Sequence, residues 1–248
     1  MKHRFVCRLI TIILALSMLP VTTVLAWTDQ AHMAMGKAAG FARFHNCAAP
    51  DVSHTVAEIN ALTQTDSPAH YYNALPDAVI TVADAYSQLQ SVGQSATDCP
   101  DGYLLGAILH TIRLCKEKTT AGAFDDEYYA VLLHYLADLA QPLHMRVYDD
   151  FNREYHFASD DILSDNEAEY PVFAAVALAD ELTVDDQLSF ETEEQVLEAV
   201  IVLATQSQAL ANVMRADQRN ITREEALLQV SRAATLGRAV LKYCGKLK

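Results

Sequence analysis

The sequence predicts an all-α protein built as a single compact multi-helix domain. Apolar residues recur every three or four positions through most of the chain, which is the spacing of one buried helix face. Strand-like alternation is nearly absent. Only 8 glycines occur in 248 residues, few for a fold that must turn sharply between strands.

The elements follow in order. Residues 1–26 read as a leader rather than as part of the fold. Lys2, Arg4 and Arg8 precede or border a short apolar run over 9–19, and Val24-Leu25-Ala26 suits cleavage before Trp27. The apolar run is shorter than the ~20 residues of a membrane span, so a secreted or periplasmic protein without stable membrane insertion is expected. Cleavage leaves 222 residues and moves the formal net charge from −14 to −17. So acidic a chain is a poor binder of polyanions by surface charge alone, and a phosphate substrate would need local positive charge such as bound metal.

Helices are predicted near 30–43, 53–64, 76–91, 102–117, 124–141, 171–183, 192–215 and 222–243. Thr192 with Gln195 and Thr222 with Glu225 have capping-box spacing, and Gly245 follows the last helix as a stop. The longest irregular stretch, 142–153, lies between His and Asp residues and reads as a functional loop. No linker or internal repeat divides the chain, so residues 27–248 form one domain, taken as a monomer. Cys47, Cys99, Cys115 and Cys244 remain after cleavage, an even number that permits two disulfides in any of three pairings.

The chemistry lies in pairs of His and Asp four residues apart. His134 and Asp138 share one face of an apolar helix, where an unpaired carboxylate would be costly. Gln141-Pro142 then ends that helix and presents His144. His156 and Asp160 repeat the spacing, and Asp66 and His70 form a third pair in which Pro68 suggests a helix start. Imidazole and carboxylate are the ligands zinc uses where thiolates are missing. One such pair means little, but three of them with His144 in one small domain favour metal. His45, His54 and His110 read as satisfied histidines, with His110 packed on an apolar helix. Tyr128, Tyr129 and Tyr135 read as core or pocket wall. A di-iron bundle would need Glu-x-x-His repeats, which are missing.

His134-Tyr-Leu-Ala-Asp138, continuing through Gln-Pro-Leu to His144, resembles the central motif of the trinuclear zinc phosphoesterases. That superfamily joins the single-strand-specific nucleases of S1/P1 type and the bacterial zinc-dependent phospholipases C. The mature start, Trp27 with His32 shortly after it, is similar too. The resemblance spans about 27–160; the C-terminal third agrees only in being helical. It implies three Zn²⁺ ions. One would be held by Asp66, His70, His134 and Asp138, and a second by His144, His156 and Asp160. The third would take the amine and carbonyl of Trp27 with His32, and Asp138 would bridge. It further implies a phosphodiesterase whose nucleophile is a zinc-bridging hydroxide oriented by Asp66, with Asp138 as the other catalytic carboxylate. The expected substrate is single-stranded DNA or RNA, or a nucleotide if 3′-nucleotidase activity is present.

Two departures from the family pattern stand out. Asp66 lies unusually close to His70, leaving Asp51 as another candidate for the first carboxylate, and the arginine common after that aspartate is missing. In His70-Tyr71-Tyr72-Asn73, Tyr71 is placed to stack on a base and Asn73 to read its edge. The short segment from His144 to His156 is nearer the phospholipase length, which keeps a phospholipase C acting on phospholipid as the alternative. A secreted helical protein with purely structural zinc is the reading from a different class.

Overall fold

In the computed structural model the described residues are 27–52 and 68–248. Their regular structure is all helical, with no strand among the described residues, as the periodicity predicts. The leader, the helix predicted over 53–64, His54 and Asp66 lie outside the described residues, as does the side chain of Asp51.

Helix α1 (Asp29–Ala38) is shorter than its apolar pattern suggests. Its last turn closes at Ala39, and Gly40 turns the chain away at φ +89°, a left-handed conformation that a side chain disfavours. A 3-10 turn, Phe44–Ala48, leads into the short α2 (Ala49–Val52). Helix α3 (Val82–Leu89) begins six residues later than the predicted 76–91, because a capping box between Thr81 and Asp84 sets its start. Helix α4 (Leu104–Thr120) crosses α3 closely at Gly106, whose backbone N–H, with that of Leu105, donates to Gln88 Oε1.

Helix α5 (Asp126–Ala140) carries the central motif. Every residue from Tyr128 to Ala140 is buried, so the helix is enclosed on all sides. It packs against α1 and α4 and against the two long C-terminal helices, α8 (Glu193–Ala216) and α9 (Arg223–Tyr243). Its apolar faces drive this burial, and His134 and Asp138 are carried inside with them.

The stretch 142–153 is not the irregular loop its composition suggests. Residues Pro142–Met145 form a 3-10 turn, and helix α6 (Asp150–Asp160) begins at its Asp149 cap. Helix α6 is missed by the periodicity because it is mostly polar; only its side chains at Phe151, Asn152, His156, Ser159 and Asp160 are buried. Helix α7 (Pro171–Glu181) packs on α1. The capping boxes at Thr192 and Thr222 both form. At the chain end, Gly245 (φ +82°) lets the Lys246 N–H bond back to Leu241 O, closing α9. Helix α8 has the length and apolarity of a membrane span. Its Val196, Leu197, Val200, Leu203 and Ala204 nevertheless belong to the protein core.

Candidate metal centre

Two buried clusters of metal-ligand type form where α1, α5, α6 and the Pro142–Met145 turn meet. The first holds His32, His134 and Asp138, and the second His144, His156 and Asp160. In each, the potential ligand atoms all lie within 4.8 Å of one another.

Asp138 is the hub. Its Oδ1 lies 3.2 Å from His32 Nε2, and its Oδ2 lies 2.9 Å from His70 Nδ1 and 3.3 Å from His134 Nε2. Burial alone would raise the Asp138 carboxyl, but His134, His32 and His70 hold it well below the usual carboxylate range. His70 reaches the hub from the 3-10 turn Pro68–His70 and lies 3.2 Å from His134 Nε2. The rings of His32 and His134 stack at 3.9 Å, and Tyr135 packs edge-on against His70, making it a wall of the site.

Hydrogen bonds on the far side of each ring decide which nitrogen faces inward. His134 Nδ1 meets Cys47 O at 2.8 Å, His144 Nδ1 meets His70 O at 2.6 Å, and His156 Nδ1 meets Asn152 Oδ1 at 2.6 Å. Carbonyl oxygens only accept, so each Nδ1 donates and each Nε2 is left with a lone pair. The Asn152 amide is oriented independently, because its Nδ2 donates to Leu143 O at 2.8 Å.

In the second cluster, His144 Nε2 and His156 Nε2 therefore face each other at 3.2 Å with lone pairs on both. Asp160 Oδ2 stands 3.5 Å from His156 Nε2. Two lone pairs and a carboxylate converging at these distances repel unless a cation lies among them. A tetrahedral ion with bonds of about 2.0–2.1 Å sets its ligand atoms about 3.3 Å apart. The donor set therefore fits such a metal. Gln141 completes the setting: its Nε2 donates to Asp160 Oδ1 and its Oε1 accepts from the Leu143 N–H.

The clusters are joined. His144 Nδ1 lies 4.0 Å from Asp138 Oδ1, and the Tyr72 N–H donates to His144 O at 2.8 Å. The first cluster is fully buried, whereas His144, His156 and Asp160 retain 3–6% exposure, so the second side is nearer solvent.

The other predicted residues divide. Trp27 is fully buried, with no acceptor for its indole Nε1 among the described residues. The next residue, Thr28, is tied to the end of α6 through Asp160 O and, beyond it, to Ser164 Oγ. His32 Nδ1 likewise has no partner among the described residues. Tyr71 packs over Gly102, and its carbonyl accepts from the Leu104 N–H. The Asn73 amide donates to Pro100 O, so that N–H is engaged within the fold. His45 is exposed and His110 half-buried, and neither belongs to a cluster. Cys47, Cys99, Cys115 and Cys244 are free thiols. Asn152 and Gln141 are the residues the spacing argument passed over. Asn152 was legible in principle, four residues before His156 on the same helix face.

Compared with family models, curated proteins and solved structures, the chain matches none.

Proposed function

We propose that this chain is a secreted, zinc-dependent phosphodiesterase, most simply a nuclease acting on single-stranded DNA or RNA. The observation that carries the proposal is the pair of linked, buried His/His/Asp clusters, with three imidazoles turned metal-ward by carbonyl acceptors. Such a site, when loaded, supplies Lewis acidity and activates water near neutral pH.

The chain's own residues divide the remaining work. Asp138 is fully buried and held ionised, so it fixes negative charge between the clusters. His144, His156 and Asp160 number three, fewer than a closed four-ligand structural site would use, which favours a catalytic over a structural role. His70 belongs with the first cluster on its contacts to Asp138 and His134. A third ion at Trp27 and His32 would meet His32 through Nε2, the nitrogen that lies 3.2 Å from Asp138 Oδ1. It requires the free Trp27 amine, so processing would complete the site. Asp66, or Asp51, would supply the remaining carboxylate.

Metal analysis of the processed protein tests the reading: two to three zinc ions per chain are expected, and fewer than two would leave only a structural role. Assays on single-stranded DNA, RNA and a phosphocholine ester then separate the substrates. The His144–His156 segment contains just four residues between its two helical elements. That brevity favours a phospholipase C as the second reading, and turnover of the choline ester alone would put it first.

A further inference from the structure

Two arginines stand near Asp149, close in sequence to the second cluster, and one of them, Arg215, pairs with it. Arg146 follows His144 by two residues and is only 3% exposed. Its Nη1 donates to Asn212 Oδ1 on α8, while its Nε is buried without a hydrogen-bond partner among the described residues. Arg215, three residues further along α8, donates to Asp149 Oδ2 and lies over the Phe151 ring at 5.8 Å. Asp149 caps α6 by accepting from the Asn152 N–H at 3.1 Å. Its carboxyl would be raised by burial but is held low by Arg215, the Asn152 N–H and Arg146 together. The neighbouring Asp150 is matched by Arg153.

The charge count is uneven. Arg215 pairs with Asp149, but Arg146 has no carboxylate partner among the described residues, and both lie next to the positive end of an 11-residue helix. A buried guanidinium with an unsatisfied N–H and a like-charged neighbour is costly until an anion joins it. Its position is specific. Arg146 O accepts from Asn152 Nδ2 at 3.4 Å, and Asn152 Oδ1 accepts from His156 Nδ1. Two hydrogen bonds therefore tie the backbone of Arg146 to the second cluster.

We propose that Arg215, backed by Arg146 and the amino end of α6, forms a subsite for a second phosphate of a single-stranded nucleic acid whose scissile phosphate lies at the metal centre. The proposal rests on the phosphodiesterase reading and sharpens its substrate class. A polynucleotide carries phosphates in succession, whereas a phosphatidylcholine has one phosphodiester and no second phosphate to place.

The test is equilibrium binding of phosphorothioate-linked oligothymidylates to the processed, zinc-loaded protein, read by fluorescence anisotropy. The wild type should bind a hexanucleotide more tightly than a dinucleotide. Arg215→Ala should weaken the hexanucleotide about tenfold and leave the dinucleotide unchanged. It should also reduce the salt slope of log K by about 0.7, the share of one single-strand phosphate contact. Asp149→Asn keeps an N-cap residue while releasing Arg215, and should tighten the hexanucleotide several-fold. Equal binding of the two lengths, no binding of either, or an Arg215→Ala protein of wild-type affinity and slope would overturn the subsite. The two readings fail separately. Length-dependent binding through Arg215 without hydrolysis would sink the catalytic reading alone, and hydrolysis with an inert Arg215 would sink this one.

Discussion

Asn152 offers the sharpest probe of the metal centre, because its side chain does two separable things. Its Oδ1 accepts from His156 Nδ1 at 2.6 Å and so fixes which nitrogen faces the second cluster. Its Nδ2 donates to Leu143 O at 2.8 Å and so pins the turn that carries His144. Asn152→Ala removes both. Losing the outer partner of a ligating histidine weakens metal binding by about 10–100-fold. The same change strands two buried groups, at about 1–3 kcal/mol each, and a domain of this size loses about 2–4 °C in Tm per kcal/mol. Asn152→Asp keeps the acceptor and loses the donor. It should retain metal affinity near wild type while the Leu143 carbonyl, now facing a carboxylate, still costs about 1–3 kcal/mol. Chelator competition measures affinity and differential scanning calorimetry measures Tm. If Asn152→Ala holds its metal as tightly as wild type, or if the two variants lose affinity equally, the argument from histidine orientation is wrong.

The other predictions address the hub, the packing and the pH response. Asp138→Asn should strip metal from the first cluster and reduce hydrolysis by at least about a hundredfold, since one carboxylate is approached by four imidazoles; metal content and rate check it together. Gly106→Ala should destabilise the fold by about 1–3 kcal/mol in urea, because a methyl there meets the backbone of Gln88 at 2.4 Å and of Leu89 at 2.5 Å. An unchanged midpoint would mean that α3 and α4 do not cross so closely. Glu225, paired with Arg219, has its carboxyl lowered from 4.5 to about 2. Its contribution is therefore present above about pH 4.5 and is lost as pH falls through about 2. Solvent screening of this partly exposed pair limits it to about 1 kcal/mol, so Glu225→Gln should cost that much at pH 7 and nothing near pH 2, by chemical denaturation. His110→Ala, at a half-buried histidine outside both clusters, should leave metal content unchanged.

Local sequence determined a good deal of this protein. Helix α5 is legible because its apolar residues surround it, and a helix apolar all round has to be enclosed. The starts of α8 and α9 are legible because capping boxes are local: Thr192 with Gln195, and Thr222 with Glu225, satisfy their own backbone groups. The membership of the second cluster is legible because His156 and Asp160 share one helical turn and His144 follows the helix-ending Gln141-Pro142. Helix α6 is not legible by periodicity, since only one narrow stripe of it is buried and the rest is polar.

Tertiary structure decided the rest, because it concerns groups far apart in the chain. His32 and His134 stack only once α1 packs on α5. His144 is oriented by the carbonyl of His70, and His134 by that of Cys47, acceptors that no spacing rule reveals. Arg146 and Arg215 look like ordinary surface charges in sequence. They come together near Asp149 only when α8 lies along the Pro142–Met145 turn and Arg215 reaches the cap of α6. Residue types and local periods name the ligands, but the direction of a ring nitrogen and the balance of charge are set by what long-range packing brings opposite them.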